Sequence, residues 1–255
     1  MGEGKFRLDN KVAVITGSGR GIGRAIGLTF AQAGAKVVFS ARTEAGIQSN
    51  AKQAQDFGGQ ALAIICDVMD EAQLQELADK TMEAFGRIDI VVNVAGGALP
   101  NQVENTTREQ LNEAFDFNVS AAFSFTRICM PHLNESKGCV INISSAAGRV
   151  IQPNFTVYGT VKAGLSYMTK MMAQDMAPDV RVNGIAPGSI MTDALQMFLD
   201  EAMLQKMRDL TPLKRLGDAE DIALAALYLA SPAASWVTGK ILEIDGGMEA
   251  TNMPF

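Results

Sequence analysis

Tyr158 and Lys162 stand four residues apart in Tyr158-Gly159-Thr160-Val161-Lys162, and Ser145 lies thirteen residues before the tyrosine. On a helix that spacing puts a phenol and an ammonium on one face. An unperturbed tyrosine titrates near ~10, and a neighbouring cation that favours the phenolate moves it toward neutral pH, where general acid and base work is efficient. Ser145 follows Cys139-Val140-Ile141-Asn142-Ile143-Ser144, which reads as a strand, so its hydroxyl can be aimed at the same reacting oxygen. Alone the pair is weak, because a half-buried Tyr and a solvated Lys meet this spacing on many helices.

A second constellation near the N-terminus gives the pair its weight. Val12-Ala13-Val14-Ile15 is a continuous apolar run of the kind found in buried parallel strands, and Gly17-Ser18-Gly19-Arg20-Gly21-Ile22-Gly23 follows it directly. The next helix is expected over 21–33, with Gly34 as its C-terminal cap. Glycines between a strand and a helix permit a tight turn, close approach to a pyrophosphate and close helix packing, while the helix N-terminus offers free N–H groups. This order of elements predicts a nucleotide site rather than a bland turn.

The elements that must position these residues alternate along the chain. Strands are expected at about 12–16, 36–41, 61–66, 88–94, 139–144, 180–186 and 241–244, with helices at about 21–33, 44–57, 71–85, 108–133, 157–176 and 219–230. Seven strands with helical crossovers predict a single α/β domain over 1–255, a doubly wound parallel sheet of Rossmann type with helices on both faces. Ligands of such sheets sit beyond the carboxyl ends of the strands, where Gly17, Asp67, Asn93, Ser145 and Pro187 all fall.

Composition removes several alternatives. The 22 basic and 28 acidic residues leave a net charge of −6 without a basic stripe, which argues against nucleic-acid binding. Met1-Gly2-Glu3-Gly4-Lys5-Phe6 lacks a signal-peptide core and no apolar run approaches membrane-spanning length, so a cytoplasmic location is expected. Cys66, Cys129 and Cys139 are widely spaced in apolar surroundings and read as reduced core thiols. His132 is the only histidine, so neither a His-based triad nor a multi-His metal site is expected, and no metal is assigned.

From Thr16 to Gly247 the chain resembles the short-chain dehydrogenase/reductase family, through the glycine motif, Asp67-Val68, Asn93-Val94-Ala95-Gly96, Asn118, Ser145, Tyr158, Lys162, Pro187-Gly188 and Asp245-Gly246-Gly247. Val94 departs from the pattern, since the family usually has a second Asn there. The resemblance implies hydride transfer from a nicotinamide cofactor to a ketone carbon, with Tyr158 protonating the developing alkoxide and Ser145 donating a hydrogen bond to it. It also implies that Lys162 holds the ribose hydroxyls and lowers the Tyr158 pKa, that Asn118 positions a relay water, and that Pro187, Gly188, Ile190 and Thr192 fit around the nicotinamide amide and pyrophosphate. Without the resemblance, Asn118 inside a long helix reads equally as a residue satisfying a kink or a neighbouring carbonyl.

Cofactor choice turns on the end of the second strand, where a carboxylate would accept the adenosine ribose hydroxyls and repel a 2′-phosphate. Ala41 occupies that place, Arg42 follows, and Arg20 can reach the same region, so NADP is expected over NAD. Glu44 is assigned to the first turn of the next helix, where acids are favourable. Asp67 and Val68 are expected at the adenine edge, although a strand-end Asp also caps loops without a ligand.

Residues 190–215 lie where the family places a lid over its substrate, and they carry Met191, Leu195, Met197, Phe198, Leu199, Met203, Leu204 and Met207, a spacing that ordinary packing also produces. Segments such as residues 181–188 and 231–237 look like those of bacterial 7-alpha-hydroxysteroid dehydrogenases, which implies a bulky hydrophobic ketone or alcohol. The alternatives are a 3-oxoacyl thioester reductase, whose acidic carrier would need a basic patch from Lys206, Arg208, Lys214 and Arg215, and a nucleotide-sensing protein without chemistry, which would not need Ser145, Tyr158 and Lys162. The family resemblance further implies a homotetramer, with residues 251–255 placed to reach a neighbouring subunit's pocket.

Overall fold

Strand β1 (Val12–Thr16) is buried along its whole length, and its side chains divide as a pleated strand requires. Ala13 and Ile15 join one apolar cluster, and Val14 joins another on the opposite face. The computed structural model of the protein describes residues 4–191 and 199–253. Around β1 it arranges β2 (Lys36–Ala41), β3 (Ala61–Ile65), β4 (Ile90–Asn93), β5 (Cys139–Ile143), β6 (Arg181–Pro187) and β7 (Ile241–Ile244) as one parallel sheet in the order β3-β2-β1-β4-β5-β6-β7. The order reverses between β1 and β4, which opens a crevice at their carboxyl ends.

Helices cover both faces. On one, α1 (Gly21–Gln32) and α8 (Ala219–Ala230) pack Ile26, Phe30, Ile222 and Leu229 against the sheet. On the other, α3 (Glu71–Phe85), α5 (Ala121–Ser136) and α6 (Thr156–Asp175) contribute Leu74, Leu77, Phe125, Leu133 and Met172. The remaining described helices are α2 (Glu44–Asp56), α4 (Arg108–Phe115) and α7 (Glu201–Leu210).

Local sequence explains several helix ends. Asp70 caps α3 by accepting from Ala72 and Gln73, and Gly86 closes it at φ 72°. Thr107 and Gln110 form a capping box at the start of α4. Gly34, at φ 100°, follows α1 as its composition predicts.

Two expectations are corrected. The single helix expected over 108–133 is interrupted by a π-helical turn, Asp116–Ser120, and resumes as α5 to Ser136. Strand β4 begins at Ile90 rather than 88, and the buried Asp89 carboxylate just before it accepts Val12 N–H at 3.0 Å and binds Lys11 and Arg87, tying the strand's entry to β1.

Candidate active site

The glycine loop is held by contacts that leave no room for side chains. Gly17 sits at φ 64°, and a Cβ there would lie 2.7 Å from the amide nitrogen of Ala95. A Cβ on Gly23 would lie 2.5 Å from the carbonyl oxygen of Gly17, so helix α1 begins directly against the loop. Ser18 donates to Ile15 O at 2.9 Å and accepts from Ser40 N–H at 2.7 Å, which fastens the loop to β2. Asn50 of α2 donates to Ser18 O at 2.8 Å and to Gly19 O at 3.2 Å, and accepts from Arg24 Nε at 3.1 Å. No side chain caps α1 and no acid stands in its first turn, so its N-terminal amides and dipole are free to meet an anion.

This loop forms one wall of a cleft of about 590 Å³. Of the residues expected there, Gly17, Arg20, Ile22, Gly23, Arg42, Asp67, Val68, Ala95 and Gly96 line it. The Ser18 side chain does not, being buried among the strand ends. Asn93 is also drawn inward: its amide donates to Asn142 Oδ1 at 2.9 Å and Thr126 Oγ1 at 3.2 Å, inside the sheet rather than at its ligand edge. Ala41 faces the loop, its Cβ 3.5 Å from where a Gly19 Cβ would stand, and Glu44 opens α2 exposed to solvent. A narrow glycine cradle and an open helix N-terminus on one cleft fit a dinucleotide.

The second wall carries the residues expected to do the chemistry. Ser145 leaves β5 and starts a 3₁₀ turn, Ala146–Gly148, with its Oγ accepting from Ala147 N–H at 3.2 Å. Helix α6 rests on that turn without intervening side chains: a Cβ on Gly148 would lie 2.7 Å from Ala163 N, and one on Gly159 would lie 2.8 Å from Ala147 O. This contact brings Tyr158 to Ser145. Burial pushes the Tyr158 phenol above its ordinary pKa, and the Ser145 hydroxyl pulls the other way.

Lys162 is 3% exposed, and its Nζ donates to Ile143 O at 3.0 Å and lies 5.7 Å from the centroid of the Tyr158 ring. Burial pushes its ammonium down to about 8. The phenol therefore stands above its ordinary value, against the expected lowering, and the group that pulls it down is the Ser145 hydroxyl rather than Lys162. Asn118 occupies the π-helical turn. Its amide donates to Ala114 O at 2.8 Å and Gly97 O at 3.0 Å, and its Oδ1 accepts from Gly97 N–H at 2.8 Å. A Cβ on Gly96 would meet Asn118 Oδ1 at 2.6 Å and Lys162 Nζ at 3.0 Å, so Gly96 and Gly97 form the seam between the two walls.

Beyond Tyr158 opens a pocket of about 380 Å³. Ser145, Tyr158 and Gln152 are polar points in a wall otherwise dominated by Ala146, Ala147, Phe155, Pro187, Ile190, Met248 and Met253. Pro187, Gly188 and Ile190 therefore border this pocket, and Thr192, with the rest of 192–198, lies outside the described residues. Met253, in the tail, lines its own chain's pocket. A family model described as enoyl-(acyl carrier protein) reductase matches residues 17–249. The chain belongs to the short-chain dehydrogenase/reductase family.

Among its relatives, this short-chain dehydrogenase/reductase is 47% identical to an uncharacterized oxidoreductase of Mycobacterium tuberculosis over 97% of its own length and 95% of the relative's. It is 43% identical to 7alpha-hydroxysteroid dehydrogenase of Escherichia coli, over 95% of both chains. A solved structure of 7 alpha-hydroxysteroid dehydrogenase complexed with NADH and 7-oxo glycochenodeoxycholic acid superposes with a TM-score of 0.94 at 41% identity, covering 97% of each chain. The family uses NAD(P)(H).

Three features of this short-chain dehydrogenase/reductase escape a reading of its sequence. Asn50 supports the glycine loop from a helix whose pattern marks it only as a surface polar residue. Arg149 binds Glu243 at 3.1 Å, Asp245 at 2.6 Å and the Met248 carbonyl at 2.7 Å, across roughly a hundred residues of chain. Met248 and Met253 come to the pocket from beyond β7, with no local motif to announce them.

Proposed function

We propose that the protein is an NADP-dependent oxidoreductase that interconverts a ketone and a secondary alcohol on a bulky hydrophobic substrate of steroid type. The observation that carries the reading is the placing of Ser145 and Tyr158 together on an apolar pocket that adjoins the dinucleotide cleft at Gly96 and Gly97. In reduction, the substrate oxygen lies between the two hydroxyls. Ser145 donates a hydrogen bond to it, and Tyr158 gives up its proton as negative charge develops. NADPH, when bound, supplies the hydride. Lys162 holds positive charge beside the phenol as it becomes phenolate, and the donors it does not give to Ile143 O remain for ribose hydroxyls. Asn118 fixes the Gly97 backbone and the π-helical turn around this group, and a relay water at Asn118 completes the proposed proton path. In oxidation Tyr158 is the base.

The choice of NADP rests on Ala41, which leaves no carboxylate at the end of β2 to repel a 2′-phosphate, and on Arg42 and Arg20 at the same end of the cleft. Asp67 and Val68 serve the adenine, while Gly21 and the α1 amides serve the pyrophosphate, with Pro187, Gly188, Ile190 and Thr192 at the nicotinamide. The related dehydrogenase named above was solved with NADH; the residues at the end of β2 are where this chain is proposed to differ in preference. The steroid assignment is supported by the apolar lining and by the names of the relatives.

A 3-oxoacyl thioester reductase is the competing reading, and charge placement counts against it. Arg208 pairs with Glu201 at 2.6 Å, Arg215 with Asp221 at 2.7 Å, and Lys214 donates to Asp209 O, so these cations are occupied within their own segment. The deciding experiment follows absorbance at 340 nm with NADPH and NADH across 7-oxo and 3-oxo steroids, a small cyclic ketone and a 3-oxoacyl thioester. Turnover of a 7-oxosteroid with NADPH supports the proposal, and activity confined to the thioester replaces it.

The protein is further proposed to be a cytoplasmic homotetramer. No helix among the described residues is long and apolar enough to cross a membrane. Phe115, Phe123, Tyr167 and Met171 lie exposed along α4, α5 and α6, an apolar surface that a second copy of the chain would cover. Light scattering on the eluting protein tests the assembly, and a monomeric mass refutes it.

A further inference from the structure

Asn252 is 1% exposed, although it lies near the end of the chain and follows a stretch, residues 249–250, that is open to solvent. Both ends of its amide are used: Oδ1 accepts from Ser189 Oγ at 2.7 Å, and Nδ2 donates to Thr211 Oγ1 at 2.9 Å. The donor pattern is fixed, because Thr211 Oγ1 gives its own proton to Met207 O at 2.8 Å and can only accept from Asn252.

The partners of Asn252 are themselves anchored. Ser189 stands at a parallel bridge in which Gly217 N–H donates to Ser189 O at 3.0 Å and Met191 N–H donates to Gly217 O at 2.7 Å. Thr211 closes α7, whose Leu204 and Met207 pack with Leu216 and against Met191 and Met253. At the other end of the same segment, Arg149 holds Asp245 and the Met248 carbonyl. The chain after β7 is therefore pinned at two places, and from them Met248 and Met253 enter the pocket that contains Ser145 and Tyr158.

We propose that Asn252 is a positioning residue for substrate recognition: by joining the Ser189 edge to the end of α7 it sets Met253 as a wall that bulky substrates contact and small ones do not reach. The inference rests on the proposed ketone reduction for its assay, not for its geometry. Asn252 touches neither the reacting hydroxyls nor the dinucleotide cleft, so its effect runs through Met253. Removing the buried amide takes the acceptor from the Ser189 hydroxyl and a donor from Thr211 Oγ1, which keeps its bond to Met207 O, and this shifts the tail instead of merely trimming a contact.

The test compares Asn252→Ala, Asn252→Ser and Thr211→Val with the parent protein in reducing a 7-oxosteroid and a small cyclic ketone with NADPH, alongside calorimetric binding of the steroid to the NADP complex. Thr211→Val removes one anchor without altering a pocket residue, and it covers the case in which Asn252→Ala fails to fold. The ratio of kcat/KM for steroid over small ketone is expected to fall about tenfold in Asn252→Ala through KM, and severalfold in Thr211→Val, with Asn252→Ser between them. Equal losses on both ketones, or an unchanged ratio, overturn the proposal. A parent protein that binds the steroid but reduces no ketone refutes the proposed reaction, and the binding constants of the variants then decide the role of Asn252. A parent that binds no steroid sinks both.

Discussion

The glycine loop of the proposed dinucleotide cleft is shaped by its backbone, whereas the proposed substrate pocket is built from side chains brought together over long stretches of chain. In the cleft, Gly17, Gly23 and Gly96 are excluded from carrying a Cβ by neighbours at 2.5 to 2.7 Å, and the anion site is a helix N-terminus. In the pocket, the walls come from the turn after β5, the exit of β6 and the tail after β7, and they are held by Arg149 and Asn252. A backbone site tolerates little substitution and serves one ligand. A side-chain site can be rebuilt without disturbing the sheet, which is how one fold takes many substrates.

The largest effect is expected where the two regions meet. Tyr158→Phe should lower kcat for ketone reduction by about a thousandfold, the usual worth of a positioned general acid, while NADPH affinity changes little. Stopped-flow turnover and NADPH fluorescence titration measure the two separately, and a variant that keeps a tenth of the parent rate would remove Tyr158 from the proposed role. Within the cleft, Gly17→Val forces a β-branched residue to a positive φ and against Ala95, at a cost of about 3 kcal/mol. Urea unfolding should show that loss together with weaker NADPH binding. A stable variant that binds NADPH normally would mean that the loop is less constrained than its contacts require.

The same contrast governs how much the sequence discloses. All seven strands form within a residue or two of their expected positions, and α3 spans the expected residues, because buried strands and capped helices are local patterns. The π-helical turn at Asn118 is not local: the segment has ordinary helical residues, and what distorts it is the pair of bonds to Gly97, 21 residues earlier. Asn93 was legible as a strand-end polar residue but not as a core one, since its partner Asn142 is set by the β4–β5 register. Ser145, Tyr158 and Lys162 come together through the bare contact of α6 with the turn after β5, and Gly148 and Gly159 are its only trace in the sequence. Arg149 and Asn252 leave no trace, because their partners lie 96 and 63 residues away.

Lys162 belongs to both regions, and its burial sets a conflict between stability and function. Its folded pKa, pushed down to about 8, lies below the ordinary 10.5. Between those values the unfolded chain binds a proton that the folded chain does not, so stability rises with pH across that window. Below pH 8 both states are protonated and the full cost of burying the ammonium is present. Lys162→Met keeps the apolar stem, loses the bond to Ile143 O and should be inactive, yet more stable at pH 7 by about 2 kcal/mol, with the gain gone by pH 10.5. Denaturant unfolding at both pH values checks this. A variant destabilised equally at both would show that the ammonium is well solvated inside the site.

Arg42 offers the smallest and most selective test, because it is a side-chain determinant in a cleft whose glycine loop is shaped by backbone. It is exposed, so a phosphate held there is screened by salt and shared with water. Arg42→Ala should weaken NADPH binding about tenfold, leave NADH binding within twofold, and lose most of that difference at high ionic strength. Arg20 shares the cleft, so the doubly substituted protein should lose more than Arg42→Ala alone. Ala41→Asp complements the test from the other direction: its carboxylate would face the loop at Gly19, repel the 2′-phosphate and accept ribose hydroxyls, turning the preference toward NADH. If Arg42→Ala weakens both cofactors alike, the guanidinium supports the loop rather than reading the phosphate, and any preference then rests on Ala41 and Arg20.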